Sequence, residues 1–554
     1  MRIGIDVGGT HTDAVAVTEG RVTASAKVPT NHHDLLVSVR GVLQAVLAQV
    51  EPAAVARVTL STTLSTNAIV EGRTEEVGLL LSAGPGIDPE AFQMGRFYYL
   101  VGGSVDHRGV EVVPPNPAQL ADVASRCRDA GLSVFAAVGK FSTRNPVHEQ
   151  RMRDALGPGA DFVSMGHRLS GQLNLPRRIA TAYYNSAVWR LYNRFADAVE
   201  QSVREFGVTA PIHVLKADGG TMPLAVSREH PVESILSGPA ASVMGIVALC
   251  DVRQDSIILD IGGTTTDIAI FASGSPVIEN DGIAVGSYPT LVRALRTRSI
   301  GVGGDSRLHM HAGTVRVGPE RLGPSVAMGG SHPTLMDACI YKGLARFGDV
   351  EASRESIRNL AALWDIFPDA LADAAVAAAV TSITRAVDEL LAAINSRPVY
   401  TIMELIEGVR IAPSRVYVMG GPARVFSGML ETAMGLGVEV PGQYEVANAI
   451  GAALTRTTFE LELFADTEKE VRVVPVLGLR DTVSGQYSLA RAQEDAVTLL
   501  MEHLRSMGVP LGRNEVDTLA ASSFSMVGDY GVVGRNIRVK CQVRPGVVEV
   551  VPHG

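Results

Sequence analysis

Cysteine is scarce in this chain: there are four in 554 residues, Cys127, Cys250, Cys339 and Cys541, with no C-x-x-C spacing. That excludes a disulfide framework and a thiolate zinc or iron–sulfur site, and points to structural thiols in a reducing compartment. Aromatic residues make up only 5%, too few for a stacking platform for bases. Basic blocks are missing as well, and the formal charge of −9 is spread out, so nucleic acid is not an expected partner. No apolar run reaches membrane-spanning length, and the N-terminus enters a strand at once, leaving no room for a signal peptide. The expectation is a cytoplasmic protein with no membrane partner.

What the chain does have is glycine, 56 residues, and 46% hydrophobic residues, the make-up of an α/β protein with many tight turns and real cores. Its length calls for more than one domain. One pattern occurs twice: Asp6-Val7-Gly8-Gly9-Thr10-His11-Thr12-Asp13 and Asp260-Ile261-Gly262-Gly263-Thr264-Thr265-Thr266-Asp267. Each copy lies between two short apolar runs and therefore reads as a hairpin tip. Adjacent glycines let backbone N–H groups approach a ligand closely, and the neighbouring Thr hydroxyls add donors, a combination suited to phosphate. A carboxylate at the end of the first strand, Asp6 or Asp260, cannot face phosphate bare, so a hydrated Mg²⁺ between them is the natural reading. The repeat implies a duplicated fold whose two tips grip one polyphosphate across a cleft.

Paired loops of this kind resemble the two phosphate motifs of the actin, sugar-kinase and Hsp70 ATPase superfamily. This spelling is similar to its hydantoinase A/oxoprolinase branch, which includes ATP-dependent hydantoinases, 5-oxoprolinase and subunits of acetone and acetophenone carboxylases. Further segments carry the resemblance. Ser61 to Ala68 is similar to the branch's H-G-T-T-x-x-T-N-A, with Ser61 in place of the histidine; Thr63 and Asn67 either face a substrate or cap a helix. Phe141 to Glu149 resembles F-x-x-x-N-P-x-H-E, and Phe162 to His167 resembles V-S-x-S-H. Of His107, His148 and His167, each could serve a metal or acid–base role, but single hydrogen-bonding histidines are the plainer reading. Lys216-Ala217-Asp218-Gly219-Gly220 resembles K-S/A-N-G-G and is either a ligand-facing loop or a turn. Ser237-Gly238-Pro239 reads as a helix start with Ser237 as its cap. Ser299 to Arg307 resembles I-G-x-G-G-G-S, with Asp305 replacing a glycine and Gly303 and Gly304 near nucleotide or reacting group. Gly420-Gly421, between a strand and a helix, fits an adenosine loop.

The resemblance implies an α/β fold of two duplicated ribonuclease-H-like halves, with an inserted segment and a small C-terminal α/β domain. The expected regions are 1–175 with the first phosphate loop, 176–456 with the second and the adenosine loop, and 457–554 as an appendage. Expected cofactors are ATP and Mg²⁺. Gly8, Gly9, Thr10, Thr12, Gly262, Gly263, Thr264 and Thr265 would hold phosphates, and Asp6 and Asp260 the metal through water. Asp13 or Asp267 would order a water or nucleophile; Thr63, Asn67, Lys216, Asp218 and Asp305 would lie on the substrate side. The implied activity is an ATP-dependent hydrolase of the hydantoinase/oxoprolinase type, or a carboxylase subunit. It phosphorylates the oxygen of a cyclic amide, an imide or a ketone enolate, and works in an oligomer with a second, larger, hydantoinase B-like subunit. The alternatives are an ATP-driven switch, such as a reactivating chaperone, and a small-molecule kinase.

Overall fold

A computed structural model describes residues 1–551 apart from 32, 280, 397–409 and 530. Two six-stranded sheets carry the two tips. The first runs in the order Thr221–Pro223, Ile212–Leu215, Arg57–Thr62, Arg2–Val7, His11–Thr18, Arg21–Pro29. The second runs Ser275–Pro276, Thr266–Ala272, Ser256–Ile261, Arg415–Met419, Gly437–Glu439, with Thr297–Ile300 also paired to Thr266–Ala272. In each, the strand entering the tip lies antiparallel to the strand leaving it and parallel to the next strand inward. Both entering strands are buried along both faces, as strands covered from both sides must be. This is the duplicated pair of ribonuclease-H-like halves.

The helices Ser237–Leu249 and Ala447–Leu454 cross between the two sheets, and small residues bring their backbones together. A Cβ on Gly245 would stand 2.4 Å from the Ala447 carbonyl, one on Gly451 2.4 Å from that of Ala241, and one on Gly4 2.0 Å from that of Ala449. Any side chain there would prise the lobes apart.

Between the first tip and the strand Ile212–Leu215 the chain inserts an all-parallel sheet in the order Phe162–Met165, Val134–Gly139, Gly78–Ser82, Phe97–Leu100. One unbroken helix, Leu175–Glu205, returns the chain to the first lobe. The C-terminal sheet runs Leu479–Thr482, Val471–Val474, Glu460–Asp466, Gly531–Val543, Val516–Gly528. Helix Leu489–Ser506 packs on it over Ile537, Val539, Cys541 and Val543, alternate residues that are fully buried.

Three sequence expectations need correcting. Helix Pro368–Asn395 is long and apolar enough, by length and composition, to cross a membrane, although no run of that kind was expected. Its residues Leu371, Ala375, Ala379, Ile383, Ala386 and Leu390 point into the second lobe's core at helical spacing. The edge strand Val516–Gly528 was not expected, because no residue of it is buried and no alternation marks it. Ser237 is not a helix cap. Leu236 holds that position in a left-handed conformation, φ 59°, while the Ser237 hydroxyl donates to the Thr62 carbonyl at 2.9 Å and accepts from its N–H at 3.2 Å.

Candidate active site

The tips meet. A Cβ on Gly263 would stand 2.8 Å from Thr10 Oγ1 and 3.0 Å from Asp305 Oδ2, so threonine from the first tip and aspartate from the Gly303 loop both press on the second tip. Each tip closes through its own backbone, Gly8 N–H to the His11 carbonyl at 3.1 Å and Gly262 N–H to that of Thr265 at 2.9 Å. The strand registers pair Asp6 with Asp13 and Asp260 with Asp267. Gly9 has nothing within 4 Å of its Cβ position and stays open. Gly8, Thr10, Gly262, Gly263, Thr264 and Thr265 are all half-buried around the junction.

The four aspartates share one electrostatic site. Burial, opposed by the nearby Ser61 hydroxyl and reinforced by the Asp13 and Asp260 charges, pushes Asp6 up to about 7. Burial and then the Asp260 charge push Asp267 up to about 7 as well. Asp13 is raised by burial against the pull of Lys27, whose ammonium is 2.7 Å away. Crowded carboxylates of this kind are what a bound cation would relieve. Asp6 Oδ1 is buried with no hydrogen-bond partner, an atom that fits water bound to a metal. Among the described residues no three ligand groups stand close enough to hold one ion directly. Asp6 and Asp260 therefore fit a hydrated Mg²⁺ and do not form a closed cage.

The expected flanking loops are at the site. Gly304 and Asp305 donate their N–H groups to the Gly262 and Gly263 carbonyls at 2.9 and 2.7 Å. A Cβ on Gly303 would meet the Gly262 and Gly263 backbone at 2.7 Å, which is why that position is glycine. Gly420, at φ 88°, lies so close that a Cβ would stand 2.3 Å from the Ile261 carbonyl and 2.6 Å from Asp260 Oδ1; Gly421 is open.

Other residues at the site were not expected. Ser242 and Asn448, one on each crossing helix, donate to Asp260 Oδ2 at 2.6 and 3.0 Å. Each is a polar side chain among small and apolar residues of its helix, a signal present in the sequence. Lys27 faces Asp13 only through strand register, which the sequence does not display. Arg321 pairs with Asp305 Oδ2 at 3.1 Å, across from His11, whose pKa burial lowers.

Some expected ligands lie elsewhere. Thr12 is fully buried, with its hydroxyl on Thr30 Oγ1 at 3.0 Å, so it braces the hairpin from inside and does not face the cleft. Thr63 precedes helix Leu64–Val70, and its hydroxyl takes the Asn67 amide at 3.3 Å, so this pair satisfies itself. Lys216 is buried between Asp218 and Glu233, both at 3.3 Å, beside a separate cavity. The three histidines do not gather. His148 bonds Ser82 Oγ at 2.8 Å, with Glu111 at 3.2 Å on its other nitrogen; His167 bonds Glu149 at 2.5 Å; His107 is exposed.

Residues 2–157 match the model of the hydantoinase/oxoprolinase N-terminal region, and residues 178–461 match that of hydantoinase/oxoprolinase. Caprolactamase subunit alpha of Pseudomonas jessenii is 28% identical over 380 residues, 62% of this chain and 54% of that protein. 5-Oxoprolinase 1 of Arabidopsis thaliana is 26% identical over 445 residues, 66% of this chain and 34% of that protein. This chain thus spans about half, or less, of those relatives' length. The solved structure of ATP-dependent caprolactamase from Pseudomonas jessenii superposes with a TM-score of 0.70 at 20% identity, covering 98% of this chain and 87% of that one. Nucleotide-free acetone carboxylase superposes at 0.69 and 17% identity, with the same coverages. Those two likenesses show the fold, and the two matched regions together, running through both glycine tips, show that this chain belongs to the hydantoinase/oxoprolinase family.

Proposed function

We propose that this chain is the ATP-using subunit of an enzyme that opens a cyclic amide or imide. In this reading the γ-phosphoryl group passes to the amide oxygen and ADP leaves. Water then adds at the carbon, the ring nitrogen departs with a proton, and a second water releases phosphate from the resulting acyl phosphate. A larger partner subunit completes the steps after phosphorylation. The observation that carries the reading is the meeting of two glycine tips over carboxylates that burial has raised to about 7. The relatives named caprolactamase and 5-oxoprolinase support the substrate class.

Each residue group has a task in this scheme. Backbone N–H groups at Gly8, Gly9, Gly262 and Gly263, with Thr10 and Thr264, bind the phosphates, and Gly420-Gly421 receives the nucleoside. Asp6 and Asp260 orient the water shell of Mg²⁺, which when bound neutralises charge on the polyphosphate. Ser242 and Asn448 fix the Asp260 carboxylate so that it need not reorganise during transfer. Asp13, which burial raises and the Lys27 ammonium pulls back, is the group suited to accept a proton from an attacking water.

The test is ATP turnover by the purified chain with lactams, hydantoins and ketones, alone and with its larger partner. Turnover that requires a lactam or hydantoin, and yields an amino acid only when the partner is present, is the expected outcome. Substrate-independent turnover coupled to release of a bound enzyme would instead make the protein a switch, and a phosphorylated product that persists even when the partner is present would make it a kinase.

A further inference from the structure

A second cavity, about 320 Å³, lies where the first lobe, the segment Leu291–Arg293 and the C-terminal domain come together. That is the lower end of the size range of small-molecule sites. Most of its charges cancel in pairs. Lys216 holds Asp218 and Glu233. Arg293 and Lys540 share Glu460 at 2.9 Å each, and Arg538 engages Glu462. Two charged side chains remain: Glu229, exposed at the rim, and Arg168, whose guanidinium makes no ion pair or hydrogen bond among the described residues.

Arg168 has a seat made for it. A Cβ on Gly478, at φ 64°, would stand 2.6 Å from Arg168 Nη1, so the absence of a side chain there leaves room for the guanidinium. Its titratable neighbours in the cavity include His230 and His503. Burial lowers the pKa of both, at His230 against the upward pull of the Glu233 and Glu229 charges, and the Arg168 charge lowers both further, so each imidazole is neutral at neutral pH, with one N–H to donate. The lining also carries apolar side chains, Met222, Val226, Leu291, Phe459 and Met507, with the Phe459 ring 4.5 Å from that of His503. An unpaired guanidinium beside neutral imidazoles, in a cavity also lined by hydrocarbon, lacks only an anion with an apolar body.

We propose that this cavity binds a small organic monocarboxylate, with its carboxylate on Arg168 and its aliphatic chain along the apolar part of the lining. Because the ligand would touch both the first lobe and the C-terminal domain, it would also brace the appended domain. This proposal uses no residue of the two tips and stands or falls apart from the ATP reading.

The experiment is calorimetric titration of the full chain with hexanoate and with hexan-1-amine as the matched cation. Hexanoate should bind saturably and hexan-1-amine should not. Arg168→Gln should weaken hexanoate at least tenfold, about 1.4 kcal/mol, with no change in melting temperature or in ATP binding. Val226→Trp, which fills the apolar part of the lining, should block hexanoate while leaving Arg168 intact. Equal binding of acid and amine, unchanged affinity in either variant, or no saturable binding of hexanoate below about 20 mM would overturn the proposal.

Discussion

The two glycine tips carry the same eight-residue pattern but sit in different surroundings. On the second tip Asp260 is gripped by Ser242 and Asn448, Gly263 is packed against Thr10 and Asp305, and Gly420 of the neighbouring loop presses on Ile261 and Asp260. On the first, Asp6 Oδ1 has no hydrogen-bond partner, Gly9 is open, and Asp13 has a lysine of its own. A repeated sequence thus gives one rigid jaw and one looser jaw. The rigid jaw is built by two crossing helices from outside the repeat, so duplication supplied the tips and the connecting helices made them unequal.

The largest expected effect tests what the tips share. Asp6→Ala and Asp260→Ala should each lower ATP turnover by roughly 10³-fold, the order expected when a group organising charge on a transferring phosphoryl is lost. The far-ultraviolet circular dichroism should not change. Near-normal rates in both variants would remove the metal assignment; loss in Asp260→Ala alone would confine it to the rigid jaw.

Next comes pH, where each tip contributes one carboxyl raised to about 7. Asp6 and Asp267 stand at about 7 in the fold against 3.8 as their ordinary value, so the folded protein binds protons that the unfolded chain releases. Their contribution is therefore fully present below about pH 4 and is lost as pH rises towards 7, by roughly 4 kcal/mol for one such group. Without ligand, the melting temperature of wild type relative to Asp267→Asn should fall across that window, and Mg·ATP should restore it. A flat difference would show that the fold already neutralises these charges.

A smaller effect separates the glycines. Gly420→Ala must accept a left-handed backbone and a Cβ 2.3 Å from the Ile261 carbonyl, so a loss of about 3 kcal/mol is expected in denaturant unfolding. Gly9→Ala, with open space around it, should change stability by less than about 0.5 kcal/mol. Comparable losses in both would mean that Gly9 has no more room around it than Gly420.

Much of this site was legible because its chemistry is local. The two D-x-G-G-T patterns, Gly303-Gly304 and Gly420-Gly421 each lie in one short run, and the structure brings all four together. What the sequence could not display depends on register or on distant chain. Lys27 reaches Asp13 across two strands, and Ser242 and Asn448 reach Asp260 from helices that precede it by 18 residues and follow it by 188. Thr12 shares the motif with residues that face the cleft, but strand alternation turns it inward, and the pattern alone does not show this. The fold was readable for the same reason as the tips: buried strands are apolar runs. The solvent-exposed strand Val516–Gly528 carries no such signal.

The smallest expected effect asks which jaw holds the proton acceptor. Lys27 is 41% exposed, so its pairing with Asp13 contributes at most about 1 kcal/mol to stability, and Lys27→Met should barely move the unfolding midpoint. Its effect on Asp13 is more informative. The lysine lowers the Asp13 pKa against the upward push of burial, while Asp267 has no lysine and only Ser299 lowering it. If Asp13 accepts the proton, removing Lys27 lets its pKa climb, and the acidic limb of the kcat profile should move to higher pH with the alkaline limb unchanged. If Asp267 accepts it, the limb should stay where it is. A shift that Lys27→Arg reverses would place the base on the looser jaw, where a carboxylate tuned by an exposed cation can change protonation during turnover without disturbing the packed half of the site.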